Sequence, residues 1–393
     1  MKLFVFYLSC FFAFVAGHML NYSAIMYSLA AFDSSLLAGL AYGFCFGTPI
    51  IFGWLAGAYI DRYSAKKVLL LAQTFFILGA VGMYWAMSFK AESAIFLFLV
   101  SSLSVGIAWG FVAPARLASL GQYVEDHKLP QATIHYNLLV MIGFGLAPII
   151  LTVTVEAFGW TFVALTSFIL FVVSSILLIN APNQHTRTSH NHLLHEWRQC
   201  FAEIKQTPVI AQLLFAAMIG YLLMGPMQVI LPQVAEKQLG LNNLEKGQYL
   251  GLIAASLILG GIAAMRFKSR IAIGPGITVM LMLCGLGLGL IGYITSVWLS
   301  CVVLVVSTTL AGIVVSLIMA GLQLHTPPVI RGRVMSIYTI ISQAVSAMAG
   351  LAAGAIAQGS SVPISLYVIA GLFLSLALWL HMKGLALKAF LRF

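Results

Sequence analysis

The sequence predicts an all-α membrane protein with twelve transmembrane helices in two six-helix bundles. Three observations carry this. Of the 393 residues, 61% are hydrophobic and only 8% charged, more apolar surface than a soluble domain can hide. The apolar residues recur in segment after segment long enough to cross a hydrocarbon core of about 30 Å. The long polar stretch at 182–207 divides these segments six from six. The runs lack the dyad alternation of an outer-membrane barrel, so helices are predicted rather than strands.

Polar residues or helix breakers bound each span. The first, 3–31, ends before Asp33, and the second, 35–60, ends at Asp61. The third, 68–89, lies between Lys67 and Lys90, and the fourth, 93–116, between Glu92 and the polar loop after Arg116. The fifth, 132–155, stops at Glu156, and the sixth, 160–181, runs from Gly159 to Pro182. Pro208 opens the seventh, 208–235, which ends at Glu236. The eighth, 247–265, is framed by Lys246 and Arg266, and the ninth, 271–293, follows Arg270. The tenth, 297–322, stops short of Pro327. The eleventh, 335–358, follows Arg333, and the twelfth, 363–382, ends at Lys383.

Three domains follow: a first bundle at 1–181, a cytoplasmic loop at 182–207 and a second bundle at 208–393. The loop begins polar and continues from Leu193 to Lys205 as an amphipathic surface helix. With both termini in the cytoplasm, only Lys90, Lys237 and Lys246 of the 20 basic residues fall outside, while the ten acidic residues divide evenly. The net charge of +10 then belongs to loops facing anionic lipid, not to nucleic-acid binding. Met1-Lys2 and the run behind it imitate a secretory signal. That run passes residue 25 without a small-x-small cleavage site, so its retention is expected. Cys10, Cys45, Cys200, Cys284 and Cys301 form no disulfide framework or metal spacing.

The loop after span two carries Gly57-x-x-x-Asp61-Arg62-x-Ser64-x-Lys66-Lys67, and a fainter Gly261-x-x-x-Met265-Arg266-x-Lys268 follows span eight. The first of these resembles the loop signature of the major facilitator superfamily, with Ser64 where that signature has glycine. Pro114-Ala115-Arg116 and Arg331-Gly332-Arg333-Val334 are similar to elements of its drug:proton antiporter branch, which includes macrolide-efflux proteins and the enterobactin exporter. Two departures are visible: span five keeps only Gly143-x-x-x-Ala147-Pro148, and Ser102 stands where span four of the branch carries a buried arginine. The resemblance implies the major facilitator fold and alternating access about a midplane site. It further implies efflux of a small organic solute (a siderophore-like metabolite or an antibiotic) across the inner membrane by proton antiport. It also implies a cytoplasmic latch: Gly57, Asp61, Arg62, Lys66 and Lys67 closing on the start of span eleven at Arg331 and Arg333, with Arg116 as a second partner. A carboxylate is favoured at a helix N-terminus by its free N–H groups.

Candidate pathway residues follow from depth in the membrane. His18 falls at the middle of span one, where an ionisable group is costly and usually functional. Asn21, Tyr22 and Ile25 continue its face at helical spacing. An imidazole exchanges protons near neutral pH, so His18 or, as the alternative, Asp33 is the expected proton carrier. Span seven offers Tyr221, Met224 and Gln228 on one face, with Pro226 and Pro232 able to break it, and Trp109 and Asn137 complete the set. No Asp or Glu lies inside a span, so a neutral, zwitterionic or anionic cargo is expected over a cation.

His185, His190, His192 and His195 match no closed metal site and read as a polar linker. The chain has no His-Glu-x-x-His, Walker loop or nucleophile elbow, and no soluble stretch could house a nucleotide domain. The expectation is a monomeric non-enzyme without cofactor or metal, whose partners are a small-molecule substrate, protons and membrane lipid. A lysophospholipid or solute importer or flippase of the same fold is the alternative within transport. A non-transporting membrane sensor using the His-rich loop is the alternative outside it.

Overall fold

The computed structural model describes residues 2–52, 59, 63–89, 94–125, 128–179, 181–182, 201–267, 273–327 and 331–390. Among the described residues, twelve helices are long and apolar enough to cross a membrane. The first six are α1 (Lys2–Phe32), α2 (Ser35–Gly47, continuing to Phe52), α3 (Ala65–Phe89), α4 (Ala94–Leu120), α5 (Leu129–Phe158) and α6 (Trp160–Leu177). The second six are α7 (Pro208–Gln233), α8 (Asn243–Phe267), α9 (Ile273–Ile291), α10 (Val297–His325), α11 (Arg331–Gly359) and α12 (Val362–Lys383). A short α13 (Leu385–Ala389) closes the chain's described part. The predicted spans and the observed helices correspond one to one. In lipid each segment must satisfy its own backbone hydrogen bonds, so apolar length alone marks a helix.

Neighbour relations repeat with a shift of six helices. In the first half α1 packs on α5 and α6, α2 on α4, and α3 on α4 and α6. In the second, α7 packs on α11 and α12, α8 on α10, and α9 on α10 and α12. These are the two bundles. They meet along two seams, α2 against α11 and α5 against α8. Leu78, Phe96, Ile169, Leu259, Val306 and Leu372 point outward, as a lipid-facing surface requires. The chain is a multi-pass membrane protein.

The sequence expectation differs from the structure in two places. Pro226 and Pro232 do not break α7, which runs through both. Packed neighbours let a membrane helix tolerate proline. The helix instead widens just after Pro232 into a π turn, Val234–Gln238. The second concerns Arg116 and is described with the site. The expected end of span two at residue 60 is not among the described residues, which take its helix to Phe52 and resume at Tyr59. Of the surface helix expected at 193–205, residues 201–206 are helical and 193–200 are outside the described set, as are the four loop histidines.

The ends of the bundles are unlike. At the end carrying the α1–α2 turn, Lys237 Nζ donates to Asp33 Oδ1 at 2.7 Å, joining the bundles. Ser35 Oγ donates to Gln233 Oε1 at 2.8 Å, and the Ser35 N–H donates to Gln358 Oε1 at 2.7 Å. Deeper in the same seam, Gln228 Nε2 donates to the Tyr42 hydroxyl at 3.2 Å. Backbones touch here: a Cβ at Gly354 would overlap the Ser35 carbonyl oxygen, and one at Gly247 would overlap Thr152 Oγ1. At the opposite end, which carries both chain termini, a chamber separates α2 and α4 from α11.

Candidate functional site

Two of the chambers between the bundles share one residue, Gln343. The inner one, of about 320 Å³, is walled by α1, α2 and α5 on one side and by α7, α8, α10 and α11 on the other. Its apolar lining includes Phe46, Phe144, Tyr221, Met141, Met224 and Met227. Its polar lining is His18, Gln228, Gln343 and several hydroxyls, with no Asp, Glu, Lys or Arg among the described lining residues. The outer one, of about 270 Å³, is lined by Pro49, Trp109, Leu117, Ser336, Thr339 and, again, Gln343. Ser336 and Thr339 are exposed, so this chamber opens at the end bearing the termini.

The polar face of α1 is buried and incompletely satisfied. His18 is 6% exposed and lines the inner chamber, and neither ring nitrogen has a hydrogen-bond partner among the described residues. Its ring packs between Trp109, at 4.9 Å between centroids, and Phe144, at 5.2 Å. Trp109 Nε1 donates to Asn21 Oδ1 at 3.2 Å, which leaves Asn21 Nδ2 unpartnered. Tyr22 is buried against Phe144 with its hydroxyl unpartnered. On the facing bundle, the Tyr221 and Tyr338 hydroxyls are hydrogen-bonded at 2.9 Å.

Most of the predicted pathway residues are thus brought together. His18, Tyr221, Met224 and Gln228 line the inner chamber, Trp109 lines the outer one, and Asn21 and Tyr22 stand behind His18. Asn137 is exposed on α5, one turn before the chamber residues Val140 and Met141. Gln343 was not anticipated. It sits on α11 among serines, with its Oε1 buried and unpartnered where the chambers join. A lone amide in a polar stretch gives no sequence signal until the facing helix is known.

The latch residues are only partly visible. Gly57, Asp61 and Arg62, and the Arg331 side chain, lie outside the described set. Lys66 Nζ donates to the Ile179 carbonyl, Lys67 is exposed, and Arg333 is half-buried in the first turn of α11. Arg116 is not at the surface where its place near the end of α4 suggested. It is fully buried inside the first bundle. Its Nη1 donates to Cys10 Sγ at 2.9 Å and to Ser9 Oγ at 3.5 Å. Its Nη2 donates to the Ser9 carbonyl at 3.4 Å and to Ser174 Oγ at 3.3 Å, and the Phe14 ring lies 5.5 Å away. The side chain turns inward because small residues on α1 and α6 leave it room.

Outside the spans, Asp33 is the informative titratable group. The hydrogen bond and positive charge of Lys237 hold its carboxyl below the usual carboxylate range.

Comparison with known proteins follows this geometry. A family model described as Major Facilitator Superfamily matches residues 6–351. The enterobactin exporter EntS of Shigella boydii serotype 4 (strain Sb227) is 25% identical over 321 residues, covering 78% of this chain and 73% of that protein. EntS of Citrobacter koseri is 26% identical over 310 residues, covering 75% and 70%. Among solved structures, a POT family transporter in complex with 5-aminolevulinic acid superposes with a TM-score of 0.80 at 13% identity, covering 98% of this chain and 96% of its own. The xylose transporter XylE from E. coli, in an inward open conformation, gives 0.75 at 11% identity, covering 97% and 95%.

Proposed function

The chain belongs to the Major Facilitator Superfamily and is a secondary transporter, and we propose that it exports a small organic solute across the inner membrane in exchange for protons. The observation that carries this reading is the inner chamber. It lies between two bundles sealed at one end and parted at the other, as a site with alternating access requires. Its lining offers no carboxylate to an organic cation, which favours a neutral, zwitterionic or anionic solute. The direction and the siderophore-like cargo rest on the similarity to enterobactin exporters, with an antibiotic as the other cargo class.

In this reading the end bearing the termini is cytoplasmic, and segment 182–207 joins the bundles there. Cargo enters the outer chamber, passes Gln343 and settles beside His18. The imidazole is the coupling group: it lines the chamber, and no protein group occupies either nitrogen. Asp33 is committed to Lys237 and stays ionised, which leaves His18 as the carrier. Asp61, Lys66, Lys67, Arg331 and Arg333 act at the cytoplasmic rim as the latch that closes when the far end opens.

The test is untargeted mass spectrometry of medium and cells from a strain lacking this chain, complemented with wild type or with His18→Ala. The expected result is a metabolite depleted outside and enriched inside the deletion strain, restored by wild type and not by a correctly inserted His18→Ala. Enrichment outside the deletion strain would mark an importer. Profiles identical between the deletion strain and the wild-type complement, in both iron-poor and iron-rich growth, would remove the case for an exported endogenous cargo.

A further inference from the structure

The inner chamber presents one unpartnered polar group from each bundle. His18 on α1 has two free ring nitrogens, and Gln343 on α11 has a free amide oxygen. The same lining is rich in aromatic and thioether groups: Phe46, Phe144, Tyr221, Met141, Met224 and Met227. We infer that the chamber recognises uncharged aromatic compounds carrying two hydroxyl groups, one met by His18 and the other by Gln343, so that the bound molecule ties one bundle to the other. This deepens the central-chamber reading above and rests on it.

The chemistry runs as follows. A neutral imidazole has one donor nitrogen and one acceptor nitrogen, and a carboxamide likewise presents both kinds of atom. A hydroxyl donates and accepts, so it suits either group in any protonation or flip state. A buried polar atom left unpaired is costly, so a ligand that satisfies it gains more than a surface contact would give. Rings fit the remaining wall, because thioether sulfur and aromatic edges both pack favourably on a π face. A cation would find no carboxylate in this lining. The two contacts also come from different bundles, so full recognition exists only while the bundles are in register around the ligand. A ligand with a single hydroxyl would bind one wall and bridge nothing.

The experiment uses the full chain in detergent and scintillation proximity binding of tritiated 4,4′-dihydroxybiphenyl. Unlabelled 4-hydroxybiphenyl, biphenyl and the tetraphenylphosphonium cation serve as competitors. Each hydroxyl is expected to improve competition roughly tenfold, and the cation is expected not to compete. His18→Ala and Gln343→Ala should each weaken diol binding by about tenfold, and in either variant the diol should lose its advantage over 4-hydroxybiphenyl. His18→Gln, which keeps a donor and an acceptor, should retain part of the affinity and guards against a folding defect. Unchanged diol affinity in both alanine variants, equal competition by the cation, or no saturable binding to wild type would each overturn the inference. Met224→Trp, which fills the chamber, separates the two levels. If it abolishes binding that the alanine variants preserve, the chamber stands and two-point recognition falls. If it leaves binding intact, the chamber reading falls as well.

Discussion

His18 and Arg116 both bury a polar, nitrogen-bearing side chain in the first bundle, yet the protein treats them in opposite ways. Arg116 is fully enclosed, and its two terminal nitrogens reach Ser9, Cys10 and Ser174 on α1 and α6. His18 is nearly as buried, lines a chamber and has no hydrogen-bond partner on either nitrogen. Burial alone therefore does not separate a site from a strut; the supply of partners does. An enclosed group with protein partners ties helices together. One without them keeps its hydrogen bonds for something that arrives.

The largest expected effect tests the strut. Arg116→Ala should lower stability by about 2–5 kcal/mol, through the void it leaves and the lost ties between α1, α4 and α6. Thermal unfolding in detergent checks this, and an unchanged midpoint would erase the contrast with His18. The next largest tests the site from the stability side. His18→Phe keeps the ring contacts with Trp109 and Phe144 while removing two unpaired nitrogens. It should raise stability by about 1 kcal/mol while abolishing transport, a trade that a packing histidine would not make.

Ser64 supplies a third buried polar residue, whose cost is one of backbone shape. It caps α3, with the Lys67 N–H donating to its hydroxyl at 3.5 Å, but its φ is +89°. The resemblance places glycine at this position, and the backbone explains why. Ser64→Gly should stabilise the protein by roughly 1 kcal/mol, since relief of the left-handed backbone outweighs the few tenths lost at the cap. A lower unfolding midpoint would show that the cap matters more than the strain.

The smallest effect belongs to the exposed pair at the sealed end. Its charges stand in water, where such pairs contribute little. Asp33→Asn should leave the unfolding midpoint unchanged. Because Lys237 lowers the Asp33 pKa, any contribution is complete above the ordinary value of 3.8 and disappears as pH falls through the lowered one. Midpoints measured between about pH 5 and 8 should therefore show no step from this residue. A step within that window would mean that the pair does more than its exposure allows.

These contrasts also show what the sequence could carry. The twelve helices were legible because span length and apolar content are local properties. His18 was legible because a mid-span imidazole stands out against aliphatic neighbours. Trp109 and Asn21 were chosen separately, and only the fold joins them through a hydrogen bond. Arg116 was misplaced because position along α4 was taken for depth, while its partners lie 58 and 106–107 residues away in the chain. Gln343 went unnoticed for the same reason. Its meaning depends on α1, on the other bundle.

The seams at the sealed end have a further consequence. Where Gly354 meets Ser35 and Gly247 meets Thr152, the bundles touch backbone to backbone or backbone to side chain, with no side chain on the glycine to interlock. Such a contact is tight but shallow. It holds one resting population without raising a high barrier against the other, since each 1.4 kcal/mol is about a tenfold change in their ratio. A single methyl at either glycine is then a wedge that biases the ensemble toward the opposite opening while leaving every residue of the chamber in place.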